Sequence, residues 1–488
     1  MQNPQSVPEV MQKNRWLAGL WALFFLVQTG ASQKVLSEKD FLDWVWRFHP
    51  VSYQASLTAS IAEREVGAAR GLFDPVLSGS WDNKRYDAKE YWRVFHSEVK
   101  APILFGPDVK VGYERAEGIF LNDENTLPAA GLVYMGLSVP LGKDLITDER
   151  RTALRRAQNF KNMGLAEQET LLNDLFFDAV KAYWEWALAY ANRELFSQFV
   201  TLADIRFQAV KRGYLEGLYA AIDTVEALIL LQTRQNSLQE ALQEYVNATL
   251  KLSNFLWDES GRPVLLPDTL IPVRLGPELQ VPVINQAQAL RFLEALQEHP
   301  ELRIKRFKVR ELQLDQRLKF NYLLPDLRFQ YNFLAEPIGT NPMNWNFSPF
   351  RNNFKYGASI KFPLLIRTAR ARYDAARFKT RQGLYDVDLK ELELRLKLRQ
   401  TFNNLEQTAL QAVIQQNMVE NYRRLNQAEQ AKFEIGESSV FLLNQREIKL
   451  IESLQKVNEL KAKGRKFFAE TYYRVGSPWK GYTPYNAP

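Results

Sequence analysis

The chain has 488 residues, 24% of them charged and 46% hydrophobic, with no cysteine and only three histidines. Cysteine-based zinc sites, disulfide frameworks and thiol catalysis are therefore excluded. Sixty-three basic against 56 acidic residues give a net charge of +7. The charges are mixed, with no basic block and interleaved aromatics, so no nucleic-acid partner is expected.

In chain order, the first informative stretch is the N-terminus. Lys13 and Arg15 precede an apolar run from Trp16 to Val27, and the small residues Thr29-Gly30-Ala31 follow. This is the order of a secretory signal peptide, placed over residues 1–31. As a membrane anchor the run would be short, since a dozen residues rise only about 18 Å as a helix against a ~30 Å hydrocarbon core. No other stretch holds about 18 consecutive apolar residues, so the mature chain is expected to be exported without a transmembrane helix.

The rest of the sequence is duplicated. His49-Pro50 with Pro75 recurs as His299-Pro300 with Pro325, displaced by 250 positions. Ser138-Val139-Pro140-Leu141 matches Lys361-Phe362-Pro363-Leu364, and Glu216-Gly217-Leu218 matches Ile435-Gly436-Glu437. The repeats are placed at 35–275, with strands at about 76–139 and long helices at about 148–257, and at 285–475, with strands at about 326–362 and long helices at about 366–474. The first half carries 27 more residues between its prolines, 65 positions from Pro75 to Pro140 against 38 from Pro325 to Pro363. Residues 476–488 read as an irregular tail, with Pro478, Pro484 and Pro488 and no helical pattern.

Strands show period two. Leu327, Phe329, Tyr331 and Phe333 alternate with Arg328, Gln330 and Asn332, and Tyr356, Ala358, Ile360 and Phe362 with Gly357, Ser359 and Lys361. Val109 to Tyr113 and Val133 to Val139 repeat this, and Val76 to Trp81 does so more weakly. Alternation alone fits either a half-buried soluble sheet or a membrane barrel whose apolar face meets lipid. Between Asp148 and Arg212 there is no proline, which predicts a helix of roughly 100 Å. In the next helix Leu228, Leu231, Gln235, Leu238, Leu242, Tyr245, Thr249 and Leu252 follow 3-4 spacing, as do Leu443, Glu447, Leu450, Leu454 and Val457 later. Leu195, Phe199, Leu202, Arg206 and Ala209 form a weaker stripe, and the polar members Arg206, Gln235, Thr249 and Glu447 suggest a seam that borders water.

This duplicated order resembles the TolC-like outer-membrane efflux proteins, over about Val35 to Val475. Its local marks are Tyr183, Trp184 and Ala187, the turn Gly217-Leu218-Tyr219-Ala220-Ala221-Ile222-Asp223, and the turn Phe433-Glu434-Ile435-Gly436-Glu437-Ser438-Ser439. The resemblance implies an α+β membrane protein, a homotrimer whose chains each give four strands to one shared 12-stranded barrel that continues into a periplasmic α-helical barrel. Independently, four strands cannot close a barrel, and open edges are not tolerated in hydrocarbon, so a membrane-inserted form must oligomerise. The barrel lumen would then be lined by Arg328, Gln330, Asn332, Ser359 and Lys361, with Asp82 to Gly131 and Leu334 to Lys355 as outer loops. The 27 extra residues, with the Val109 to Tyr113 strand, would add a hairpin in the first of these loops that the family pattern does not account for.

The resemblance implies conduction: an exit duct in the Gram-negative outer membrane, working with a periplasmic adaptor and an inner-membrane pump in a tripartite efflux or type I secretion system. Adaptor contacts would fall on Gly217, Leu218, Ala221, Gly436, Glu437, Ser438 and Ser439. Gate candidates are Asp223, Phe433, Leu442, Asn444 and Gln445, with Asn444, Gln445 and Glu437 expected to line the constriction. No cofactor or metal is implied. An enzyme is the competing class, but the GxxxxGK[ST], GxGxxG and HExxH motifs are missing, and His96 falls in an expected outer loop without a nucleophile motif. A soluble periplasmic coiled-coil scaffold is the third reading.

Overall fold

The computed structural model describes residues 34–336, 353–476, 482 and 484. The expected signal peptide, most of the segment between the last two strands and most of the tail lie outside the described residues.

The chain opens with strand β1 (Lys34–Leu36) and helices α1 (Glu38–Phe48) and α2 (Pro50–Gly71). Strands β2 (Val76–Tyr86), β3 (Lys89–Pro102), β4 (Asp108–Glu117) and β5 (Leu132–Pro140) follow. Helices α3 (Glu149–Leu215) and α4 (Ala221–Ser253) complete the first half, and β6 (Leu270–Pro272) with α5 (Gln286–Ala295) leads into the second. There α6 (Pro300–Asn321), β7 (Asp326–Ala335), β8 (Phe354–Lys361), α7 (Arg367–Glu434) and α8 (Val440–Val475) repeat the order. The duplication is close in length: α2 and α6 have 22 residues each, α3 and α7 have 67 and 68, and α4 and α8 have 33 and 36.

The His-Pro pairs are helix starts. Proline stands in the first turn, where its missing N–H costs nothing, and the imidazole Nδ1 of His49 accepts from Val51 N–H while that of His299 accepts from Glu301 N–H, both at 3.2 Å. A cap of this kind requires an unprotonated Nδ1. His299 is 2% exposed, and burial pulls its pKa from 6.5 down to about 4, with the nearby charges of Glu301, Lys390 and Arg474 as smaller influences. The folded chain therefore disfavours the proton that the unfolded chain accepts. Stability from this group is complete above pH 6.5 and declines as pH falls from there towards about 4. Thermal melts from pH 7 to pH 4 should show a shallower loss for His299→Asn, whose amide caps without titrating, than for the unaltered chain.

All six long strands form one antiparallel sheet in the order β2-β3-β4-β5-β7-β8. This corrects the expectation of four strands per chain. Asp82 to Gly131 is mostly strand, and the first-half excess adds a hairpin to the sheet itself, giving six strands in one chain. The hairpin joining β2 to β3 turns through Asp87 and Ala88, with φ of 52° and 55°, the left-handed pair of a two-residue type I′ turn. β5, the last strand of the first half, pairs with β7, the first of the second, from Val133–Ala335 to Pro140–Arg328. Among the described residues no helix is long and apolar enough to cross a membrane.

The main core is a belt midway along the helices. Tyr183, Trp184, Trp186 and Ala187 of α3 are fully buried against Phe41, Leu252 and Leu279. Tyr183 donates its hydroxyl to Leu36 O at 2.8 Å, and β1 runs parallel to β6 beside it, Val35 opposite Ile271. Glu38, also fully buried, accepts from Trp184 Nε1 at 3.0 Å and from the Tyr482 hydroxyl. The tail thus returns to the belt at Tyr482.

The helical seams are closer-packed than the leucine pattern predicts. In α4, Leu231, Leu238, Tyr245 and Leu252 face inward as expected, but their companions are Ala227, Arg234, Ala241 and Ala248, each one residue before Leu228, Gln235, Leu242 and Thr249. Alanines let helix axes approach closely: Ala227 meets Val210 and Val440, and Ala241 meets Phe196 and Ile451. On α3 the buried set is likewise Phe196, Ala203, Arg206 and Val210. The α8 stripe holds its register, but Glu447 and Arg206 do not border water. They are 0% and 9% exposed and face each other with Nη1–Oε2 at 2.6 Å.

Candidate functional site

The sheet has a mostly polar and a mostly apolar face, with exceptions in β2 to β4, where Asn83, Arg93 and Arg115 lie on the apolar side and Trp92 and Val94 on the polar side. Strand register places Arg328 opposite Ser359, Gln330 opposite Gly357 and Asp326 opposite Lys361. Gln330 lies opposite Ser138 and Asn332 opposite Gly136. The five residues assigned to the lumen, Arg328, Gln330, Asn332, Ser359 and Lys361, therefore share one face, since side chains directly opposite on paired strands point to the same side. Leu327, Phe329, Tyr331, Phe333, Tyr356 and Ile360 take the other.

The same row continues across the added hairpin. Asp108 is opposite Ser138 and Lys110 opposite Gly136; His96 is opposite Glu114 and Lys100 opposite Lys110; Ser78 and Ser80 are opposite Glu98 and His96. Sequence reading found the β4 part of this row, Lys110, Gly112 and Glu114, but missed β3 and left His96 in a loop. It lies within β3, its Nδ1 3.3 Å from Glu114. Tyr134 of β5 lies over Gly112 of β4, where a Cβ would overlap its ring, and donates its hydroxyl to Glu98 of β3 at 2.7 Å. One side chain thus ties three strands. Asp108, almost fully buried, holds Lys100 at 3.0 Å and Arg150 of α3 at 3.1 Å, anchoring the β3–β4 turn to the start of the long helix.

At the far end of the helices the two turns share one construction. After α3, Gly217 has φ of +77°, Leu218 N–H bonds Gly213 O at 2.7 Å, and Gly217 N–H bonds Tyr214 O. After α7, Gly436 has φ of +79°, Glu437 N–H bonds Lys432 O at 2.9 Å, and Gly436 N–H bonds Phe433 O. Both are Schellman-type ends, where glycine accepts the left-handed backbone. Tyr219 of the first turn stacks on Phe433 of the second at 5.8 Å and 6° between planes, so the two tips are neighbours.

Leu218, Ala221, Glu437 and Ser439 are exposed there. Ser439 caps α8 by accepting from Leu442 N–H at 3.3 Å, and Ser438 donates to Glu429 at 2.6 Å. Of the gate candidates, Leu442 and Gln445 are exposed, whereas Phe433 is half-buried in the stack. Asp223 accepts from Ala220 N–H at 3.0 Å, capping its own helix. Asn444 is 5% exposed and accepts from Arg206 at 3.3 Å; it joins α8 to α3 inside the chain instead of lining a constriction. Among the described residues no group of three acidic or histidine side chains could hold a metal ion.

An amphipathic antiparallel sheet that feeds into paired long helices is a fold shared with solved outer-membrane channels. Residues 293–463 match the family described as outer membrane efflux protein. Solved structures share the fold. The Campylobacter jejuni CmeC outer membrane channel superposes with a TM-score of 0.63 at 13% identity, over 90% of this chain and 85% of that one. VceC from Vibrio cholerae gives 0.63 at 12%, over 90% and 96%, and the open state of the Neisseria gonorrhoeae MtrE outer membrane channel gives 0.64 at 13%, over 91% and 89%. No curated protein sequence matches the chain.

Proposed function

We propose that the chain is an outer-membrane exit duct: a homotrimer whose sheets together form a barrel in the Gram-negative outer membrane and whose helices extend into the periplasm. It receives small molecules or proteins from an inner-membrane pump through a periplasmic adaptor (membrane fusion) protein. The observation that carries this reading is the continuity of one two-faced sheet into two helices of 67 and 68 residues. The polar face suits a water-filled lumen and the apolar face suits lipid.

The test is the mass of the mature protein by light scattering, with and without detergent, after extraction from the cell envelope. A particle of about three chains, soluble only with detergent and recovered with the outer membrane, is expected, because open sheet edges cannot sit in hydrocarbon. A monomer that stays soluble in plain buffer would replace the duct with a periplasmic coiled-coil scaffold.

In this reading the exposed tips, Gly217, Leu218 and Ala221 beside Gly436, Glu437, Ser438 and Ser439, meet the adaptor, and Leu442 and Gln445 border the opening. A neutral Gln445 gives a weaker cation preference than an acidic ring. Gln445→Asp should shift the reversal potential of single channels in a salt gradient towards cations; an unchanged potential would remove Gln445 from the constriction.

A further inference from the structure

We propose that three copies of this chain close an 18-stranded barrel, β2 of each copy pairing with β8 of the next, so that the β3–β4 hairpin becomes pore wall instead of outer loop. The inference rests on the duct reading and concerns its width and lining.

Four observations lead there. The hairpin is woven into the sheet: β3 pairs with β2 from Val76–Lys100 to Tyr86–Lys89, and β4 pairs with β5 over seven residue pairs. Tyr134 of β5 fastens it on one side, and Asp108, which also holds Lys100 across the hairpin, fastens it to α3. The unpaired edges are then β2 and β8, both exposed along their whole length. Six antiparallel strands leave these edges running in opposite directions, so β8 of one copy can extend the antiparallel ladder of β2 in the next. An insertion of one strand would have made them parallel.

The faces also continue across the join. On the outer side β2 offers Leu77 and Trp81, 72% and 71% exposed, and β8 offers Tyr356 and Ile360, 67% and 74% exposed. Apolar rows of this kind match lipid on both flanks of the seam. On the inner side β2 carries Ser78, Ser80, Asp82 and Lys84, and β8 carries Lys355, Ser359 and Lys361, so the polar row runs on through the seam. Open strand edges are costly in hydrocarbon, and a second copy is the one partner that supplies the complementary edge three times and closes the ring.

Barrel diameter grows roughly linearly with strand number. At ordinary strand spacing and tilt, twelve strands give a backbone radius of about 12 Å and eighteen about 18 Å, roughly twice the cross-section. The added wall brings His96, Glu98, Lys100, Asp108, Lys110 and Glu114 from each copy onto the lumen row. The outer-membrane section would then admit hydrated cargo of porin-pore size past a charged girdle, leaving size selection to the helical end.

The absence of cysteine makes disulfide mapping clean. In the full chain in outer-membrane vesicles, Ser78, Ser80 or Asp82→Cys would be combined with Gly357, Ser359 or Lys361→Cys and treated with a mild oxidant. Expected is a covalent ladder to three times the chain mass on non-reducing gels for at least one combination. Val111→Cys with Met135→Cys, opposite each other on β4 and β5, should cross-link within a chain. Two results would overturn the 18-stranded barrel: interchain links from Val111→Cys to Tyr356→Cys, which put β4 at the edge, or an intrachain link from Trp81→Cys to Met135→Cys, which joins β2 to β5 and expels the hairpin. Both leave a trimeric duct standing. Protein that is monomeric without detergent would overturn the duct reading, and the barrel with it.

Discussion

Glu447→Ala should lower the stability of the helical domain by about 3–5 kcal/mol, the range for breaking a buried ion pair from one side. The carboxylate is fully buried, with Arg206 Nη1 at 2.6 Å and Arg234 Nε at 3.8 Å, and both arginines are also buried. Removing it leaves two guanidinium groups facing each other across α3 and α4, with Glu452 the remaining acidic group that acts on Arg234. Arg234 already has Nε and Nη2 without a hydrogen-bond partner among the described residues, so the cluster has little capacity to rearrange. Because Glu447 stands on α8 and the arginines on the first-half hairpin, its loss should loosen the two hairpins from each other. Glu447→Gln keeps the shape and isolates the charge. Thermal unfolding by circular dichroism, with limited proteolysis at the tips, reads both effects. Melting that is unchanged in both variants would mean that the arginines find other partners.

Trp184→Ala is expected to cost a similar amount, about 3–5 kcal/mol, by a different cause. The indole is completely buried in the belt, and its removal opens a cavity next to Tyr183, whose ring meets it edge-on at 5.4 Å. It also takes away the Nε1 donor from Glu38, a buried carboxylate that keeps the Tyr482 hydroxyl as a partner. Trp184→Phe fills most of the volume without the donor, so the difference between the two variants separates packing from the hydrogen bond. In a melt, Trp184→Phe should fall between the parent and Trp184→Ala.

What could be read in the sequence was whatever is settled within a few residues. The His-Pro starts, the glycine turns and the breakless helices depend on local backbone chemistry, so the duplication and the order of elements were visible, and the strands of the second half were found within two residues of their limits. β3 was not. Its turn is Asp87-Ala88, lacking the glycine that marks a type I′ hairpin, and Trp92 and Val94 sit on the polar row and blur the alternation. The α4 seam was half legible. Leucine spacing located Leu231 and Leu252, but small residues decide how closely three helices meet, and Ala227 and Ala241 carry no hydrophobic signal of comparable size. Near the tips, Asn444 and Gln445 in the first turns of α8 looked equivalent in sequence. Only the fold turns Asn444 inward to Arg206 while leaving Gln445 outside.

The long helices also act mechanically. α3 runs unbroken from the sheet through the belt to its tip, so the belt serves as a fulcrum and the stretch from Trp184 to Leu215 as a lever arm of roughly 45 Å at 1.5 Å per residue. A tilt of about 5° at such a fulcrum carries the tip about 4 Å sideways without breaking one helical hydrogen bond. α7 is built to the same length, and its tip meets that of α3 through the Tyr219–Phe433 stack. In the proposed duct, small rotations at the belt would be magnified at the turns that border its opening.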